Sequence, residues 1–128
     1  MARKQLGPSW APAVADRLAR SRRFHALVAD ALDSLPDDIR ARLDNVEIVV
    51  EDTGAPDTLG LYHGIPQTER DAGYSLVLPD VITIYRAPIE ARARSDDELA
   101  SEVRRTVLHE IAHHFGISDE RLREIDRY

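Results

Sequence analysis

Between Ser95 and Gly116 the chain carries the start, the apolar stripe and the stop of one helix, and this stretch constrains the fold more than any other. Ser95-Asp96-Asp97-Glu98 fits a capping box. There the serine hydroxyl and the glutamate carboxylate satisfy amides that a first helical turn leaves without partners. Leu99, Val103, Val107, Ile111 and Phe115 follow at steps of four, and Leu108 and Ala112 widen that apolar face. Gly116 supplies a left-handed stop, and Ile117 can fold back onto the last turn. Ser118 then caps a short final helix over 119–126.

Other elements group around this helix in the order helices, strands, helices. Residues 1–12, with Gly7, Pro8 and Pro12, read as a poorly ordered tail. From Ala13 the apolar residues Val14, Leu18, Phe24, Leu27, Val28, Ala31 and Leu32 recur mostly at helical spacing. Pro36 with Asp37 and Asp38 opens a second, short helix running to Leu43. Val46–Glu51 reads as a strand, β-branched and partly alternating. Leu59–His63, Tyr74–Leu78 and Val81–Tyr85 are further strand candidates, the last the strongest, and Pro88 opens a helical segment over 88–93. The layout is an α+β domain.

Size and composition narrow the function. A chain of 128 residues suits one domain with a single core. Its longest apolar runs, such as Ile48-Val49-Val50, are strand-sized, so no membrane span is expected. The stretch MARKQLGPSW lacks the apolar core of a secretory signal, which points to a cytoplasmic location. With no cysteine, disulfides, thiolate zinc sites and cysteine nucleophiles drop out, and any metal must be held by His, Asp or Glu. The net charge of -6 is uneven. Arg3, Lys4, Arg17, Arg20, Arg22 and Arg23 face Asp16 alone within residues 1–23, and the rest is strongly acidic. An acidic body argues against nucleic-acid binding, which needs a basic surface to displace counterions. The basic lead-in reads first as a solvated segment, or as one that touches the acidic body and occludes a cleft.

The long helix contains His109-Glu110-Ile111-Ala112-His113, the pattern HExxH. Residues four apart share one helical face about 6 Å apart along the axis, so both imidazoles reach one cation. Glu110 lies about 100° further round, where it can hydrogen-bond a water on the metal without ligating the metal. A single zinc ion lowers the pKa of such a water towards ~7, and the carboxylate completes its activation. Catalytic zinc usually takes three protein ligands. The following residues extend the pattern to HExxHxxGxxD, and a sharp turn at Gly116 would return Asp119 to the metal. Asp119 is the leading third ligand, although an aspartate after Ser118 also suits a helix N-terminus. Glu120 and Glu124 are the other acidic candidates. His114 points away from the pair, as a residue that supports the site from behind or simply packs.

Residues from about 58 to 122 resemble the small bacterial zincin-like metallopeptidase family. The likeness rests on Leu59-Gly-Leu-Tyr-His-Gly-Ile-Pro66, Thr68-Glu-Arg70, Leu78-Pro-Asp-Val-Ile-Thr-Ile-Tyr85 and His109–Asp119. It implies a minimal zincin-like domain, with a small mixed β-sheet packed against an active-site helix at about 95–115. N-terminal helices and a short C-terminal helix complete it. It also implies His109, His113 and Asp119 as zinc ligands, Glu110 as base and a peptide or protein as substrate. On this reading residues 1–23 form a basic tail or lead-in helix, and 24–128 the metallopeptidase domain. Longer metzincins close the site with a methionine-containing turn after the third ligand. Here the one methionine is Met1, so the architecture is at most minimal.

Substrate contacts are less legible. An extended peptide could add to a sheet edge formed by Leu59–Pro66 or Tyr74–Leu78. Tyr62, His63 and Tyr74 could donate to an oxyanion, with packing or turn roles as the alternative. Arg104 and Arg105 belong to the helix surface, paired with nearby acids. Two other functions compete: a non-catalytic zinc-binding or interaction module, which would need no Glu110, and an RNA-processing metallohydrolase, disfavoured by the acidic body and by aspartate at 119. Peptide deformylases share HExxH but need a cysteine ligand. A monomer is the default expectation.

Overall fold

Why these residues become one layered domain is seen at the central strand. The computed structural model describes residues 10–43, 45–64 and 79–121. Helix α1 (Ala11–Asp33) is followed by α2 (Asp37–Ala41), β1 (Val46–Glu51), β2 (Gly60–His63), β3 (Asp80–Tyr85), α3 (Arg86–Arg92) and α4 (Asp96–His114). The strands form one mixed sheet in the order β1-β3-β2. Strand β1 runs parallel to β3, with Ile48 opposite Ile82, and β2 runs antiparallel to it, with Gly60 opposite Ile84. The middle strand buries Asp80, Ile82 and Ile84 on one face, with Tyr85 buried at its end, and leaves Val81 and Thr83 half-buried on the other. The expected α+β architecture, a small mixed sheet against the HExxH helix, is borne out.

Helix α4 is the hub, in contact with α1, α3, β2 and β3. Val103 and Val107 are fully buried and Leu99 and Ile111 nearly so, which is the predicted stripe. They join Phe24, Val28, Ala31 and Leu35 from the α1 side and Ile82, Ile84 and Ile89 in one core. Leu108 departs from expectation and is 49% exposed. It sits about 100° round from Val107, beyond the arc that the neighbours of α4 cover. Leu18 is also exposed, because α1 outreaches the core and buries only Phe24, Val28 and Ala31. The helix starts at Ala11 with Pro12 in its first turn, inside the expected tail, and runs unbroken through residues 23 and 24.

The capping box forms with one shift. Ser95 Oγ accepts from the Glu98 amide at 3.1 Å, but the Glu98 carboxylate accepts from the amide of Arg94, one residue before the cap, at 2.8 Å. Helix α3 begins at Arg86, directly from β3 and two residues ahead of Pro88. The strand expected at Tyr74–Leu78 lies outside the described residues.

Candidate metal centre

The end of α4 positions the site. Gly116 takes a φ of 86°, the left-handed value expected of it. Its amide bonds the His113 carbonyl at 2.9 Å, and the Ile117 amide bonds the Ala112 carbonyl at 2.9 Å. This pair of bonds is the Schellman closure. The chain reverses there, and Ser118 Oγ accepts from the Arg121 amide at 3.1 Å, starting helical backbone over 119–121.

That reversal brings Asp119 onto the helix it has just left. Asp119 Oδ1 lies 2.9 Å from His109 Nε2 and 2.9 Å from His113 Nε2. The imidazoles stand edge-on, 4.8 Å apart between ring centres. His113 is oriented from behind, because its Nδ1–H donates to the Ile117 carbonyl at 2.9 Å, so in the neutral ring Nε2 is the nitrogen left to ligate a metal. The stop that ends α4 therefore also selects the tautomer of His113. Burial pushes the Asp119 carboxyl up, but the hydrogen bonds and charges of His109 and His113 outweigh it and hold it below the ordinary aspartate range.

Glu110 stands beside this trio. Its side chain is buried, at 6% exposure, and ligand atoms of His109, Glu110 and His113 lie within 4.8 Å of one another. Burial raises its pKa above the ordinary 4.5, with His109 and His113 pulling the other way and Asp119 adding to the rise. No hydrogen bond or ion pair engages its carboxylate among the described residues. The donor set suits a metal of zinc's type, two imidazole nitrogens and one carboxylate oxygen converging. A zinc tetrahedron with bonds of about 2.0–2.1 Å has edges of about 3.3–3.4 Å, so the observed 2.9 Å contacts need to open by only a few tenths of an ångström. A cavity of about 490 Å³ opens onto the trio, walled by Gly60, Leu61 and Tyr62 of β2 opposite α4.

Other sequence candidates are placed differently. His114 is fully buried and its Nδ1 meets Asp80 Oδ2 at 2.9 Å, while the Tyr62 hydroxyl donates to the same oxygen at 2.6 Å. Tyr62 thus has its hydroxyl turned to Asp80, and His63 is exposed. Glu120 is exposed in the helical backbone that starts at Asp119, and Tyr74 and Glu124 lie outside the described residues. Arg105 sits 3.7 Å from Glu102, and Arg104 donates to Ser101 at 3.4 Å, both on the outer surface of α4. Asp80 and Gly60 are the residues that sequence reasoning passed over. Nothing local marks either, since their importance comes from partners far along the chain.

The zincin-like metallopeptidase family matches residues 43–128, from just before β1 through the HExxH helix and Asp119. The chain belongs to that family. This zincin-like chain is also similar to a solved structure of a conserved hypothetical protein from Thermus thermophilus. The two share 27% identity with a TM-score of 0.54, over 75% of this chain and 94% of the other. No curated protein matches the chain. Among the described residues no helix is long and apolar enough to cross a membrane.

Proposed function

We propose that this zincin-like chain is a zinc-dependent metallopeptidase, in which His109, His113 and Asp119 hold one zinc ion and Glu110 is the general base. The observation that carries this is the pair of 2.9 Å contacts from Asp119 Oδ1 to both Nε2 atoms, with the Glu110 carboxylate, unpartnered among the described residues, alongside. A zinc ion held there supplies Lewis-acid polarisation of a substrate carbonyl and acidifies water. Glu110 accepts a proton from the attacking water as its oxygen adds to the carbonyl carbon. It then passes that proton to the leaving nitrogen as the carbon–nitrogen bond breaks. A buried carboxylate with a raised pKa suits both halves of this cycle, because its proton affinity lies closer to that of the groups it exchanges with. The open cavity over β2 has room for an extended peptide.

The test compares wild type, Glu110→Gln and Asp119→Ala for bound zinc and for cleavage of a mixed peptide library. Glu110→Gln is expected to keep zinc and lose turnover. Asp119→Ala is expected to lose zinc affinity by more than the roughly 10–100-fold typical of an outer-sphere partner. Full zinc occupancy without cleavage of any peptide would overturn the peptidase and favour a zinc-binding module. Zinc retained by Asp119→Ala would move the third ligand to Glu120 or Glu124.

A further inference from the structure

Strand β2 crosses α4 at a residue without a side chain. Inward-facing positions of the strand alternate, Gly60 and Tyr62 half-buried against Leu61 and His63 exposed. A Cβ placed on Gly60 would lie 2.9 Å from Thr106 Cγ2, 3.0 Å from Glu110 Cγ and 3.1 Å from Glu110 Oε2. Carbon atoms in ordinary contact stand about 3.5–4.0 Å apart, so even one methyl does not fit unless something gives. Backbone conformation is not the reason for glycine, because Gly116 is the described glycine with a positive φ. The requirement is space.

What would give can be decided from the surroundings. Helix α4 cannot retreat, because Val103, Val107 and Ile111 lock it into the core. The Thr106 methyl is held, since its hydroxyl donates to the Glu102 carbonyl at 2.9 Å and fixes the rotamer. The ladder to β3, Gly60 opposite Ile84 and Tyr62 opposite Ile82, restrains β2. The Glu110 carboxylate, with no hydrogen-bond partner among the described residues, is the compliant group. It also stands at a junction: a second cavity of about 320 Å³, reaching Asp57 and Arg105, shares Gly60, His109 and Glu110 with the first.

We infer that Gly60 is a positioning residue for Glu110. Its bare backbone forms the wall against which the carboxylate rests, and thereby sets where the proton acceptor stands beside the two histidines. The catalytic consequence rests on the metallopeptidase reading, whereas the packing does not.

The experiment is a double-mutant cycle. Gly60→Ala, Glu110→Ala and their combination are compared by thermal unfolding of the full chain. Gly60→Ala, Glu110→Gln and their combination are compared by zinc affinity, kcat and KM on peptides that the wild type cleaves. Gly60→Ala is expected to lower the melting midpoint clearly less in the Glu110→Ala background, which lacks the carboxylate, than in wild type. Zinc affinity should stay within about threefold, kcat fall at least tenfold and KM change little. In the Glu110→Gln background the same substitution should leave the residual rate unchanged. An equal drop in midpoint in both backgrounds would overturn the inference, as would an unchanged kcat or an equal rate loss with and without Glu110. Should Gly60→Ala not fold, the cycle is run in Thr106→Ser, which keeps the hydroxyl but removes the nearest obstructing atom, Thr106 Cγ2. A wild type that binds zinc and cleaves nothing removes the peptidase reading alone, and the stability cycle still decides the inference.

Discussion

Asp80 and Glu110 are both acidic residues buried between β2 and α4, and they are treated in opposite ways. Asp80, at the head of β3, is fully buried and accepts from the Tyr62 hydroxyl and from His114, with the Gly64 backbone pressed against its carboxylate. Glu110 is nearly as buried, yet its carboxylate has no hydrogen-bond partner among the described residues and its pKa is raised. Burying a carboxylate is costly unless donors compensate it. At Asp80 the fold supplies the donors and gains a rivet that ties β3, β2 and the end of α4 together. At Glu110 it leaves the cost standing, as the proton-transfer role proposed for it requires. Donor count, more than burial, separates the structural carboxylate from the proposed proton acceptor.

The widest separation between the two is expected in turnover. Glu110→Gln should reduce kcat by about 10²–10⁴, the usual worth of a general base, while zinc content holds and stability does not fall. Asp80→Ala should act the other way, losing about 2–5 kcal/mol of stability as the Tyr62 and His114 donors are left buried without their acceptor. Chemical denaturation measures this, and a loss below about 1 kcal/mol would dissolve the distinction. A smaller effect links the two regions through the turn. Gly116→Ala places a Cβ at a φ of 86° and should cost about 1–2 kcal/mol. Because the same turn carries the Ile117 carbonyl that orients His113, and also Asp119, zinc affinity measured against a chelator should fall with it. Stability lost at unchanged affinity would show that the cap and the site are independent.

How legible this was follows from range. The ends and stripe of α4 could be read because caps and apolar steps are local, and Ser95, Gly116 and the Leu99–Ile111 ladder stand where spacing puts them. The HExxH pair and the turn to Asp119 were open for the same reason, since a separation of 10 positions spans the site. Asp80 was invisible as a rivet because its partners lie 18 and 34 residues away. Gly60 was invisible as a wall because nothing in its neighbourhood names Glu110 as the residue it meets. Leu108 and Leu18 were misplaced on the core because periodicity defines a face but not how much of it neighbours cover. The order β1-β3-β2 is likewise non-local, with β3 joining β1 across the intervening strand.

The subtlest separation lies in how stability depends on pH. Glu110 has a folded-state pKa above its unfolded value, so it favours the folded state fully only below the unfolded value near 4.5, and that contribution is lost as pH rises through the raised folded value. Glutamine at 110 does not titrate. Chelator-treated Glu110→Gln should therefore match the wild type in stability at the acid end and exceed it by a margin that grows as pH climbs, levelling off once Glu110 is ionised. Each unit of displacement is worth about 1.4 kcal/mol, so the margin should be small but measurable by denaturation at a series of pH values. A margin that stays flat across this window, or that favours the wild type at neutral pH, would mean that the folded protein already compensates the Glu110 charge. The contrast with Asp80 would then fail at its root.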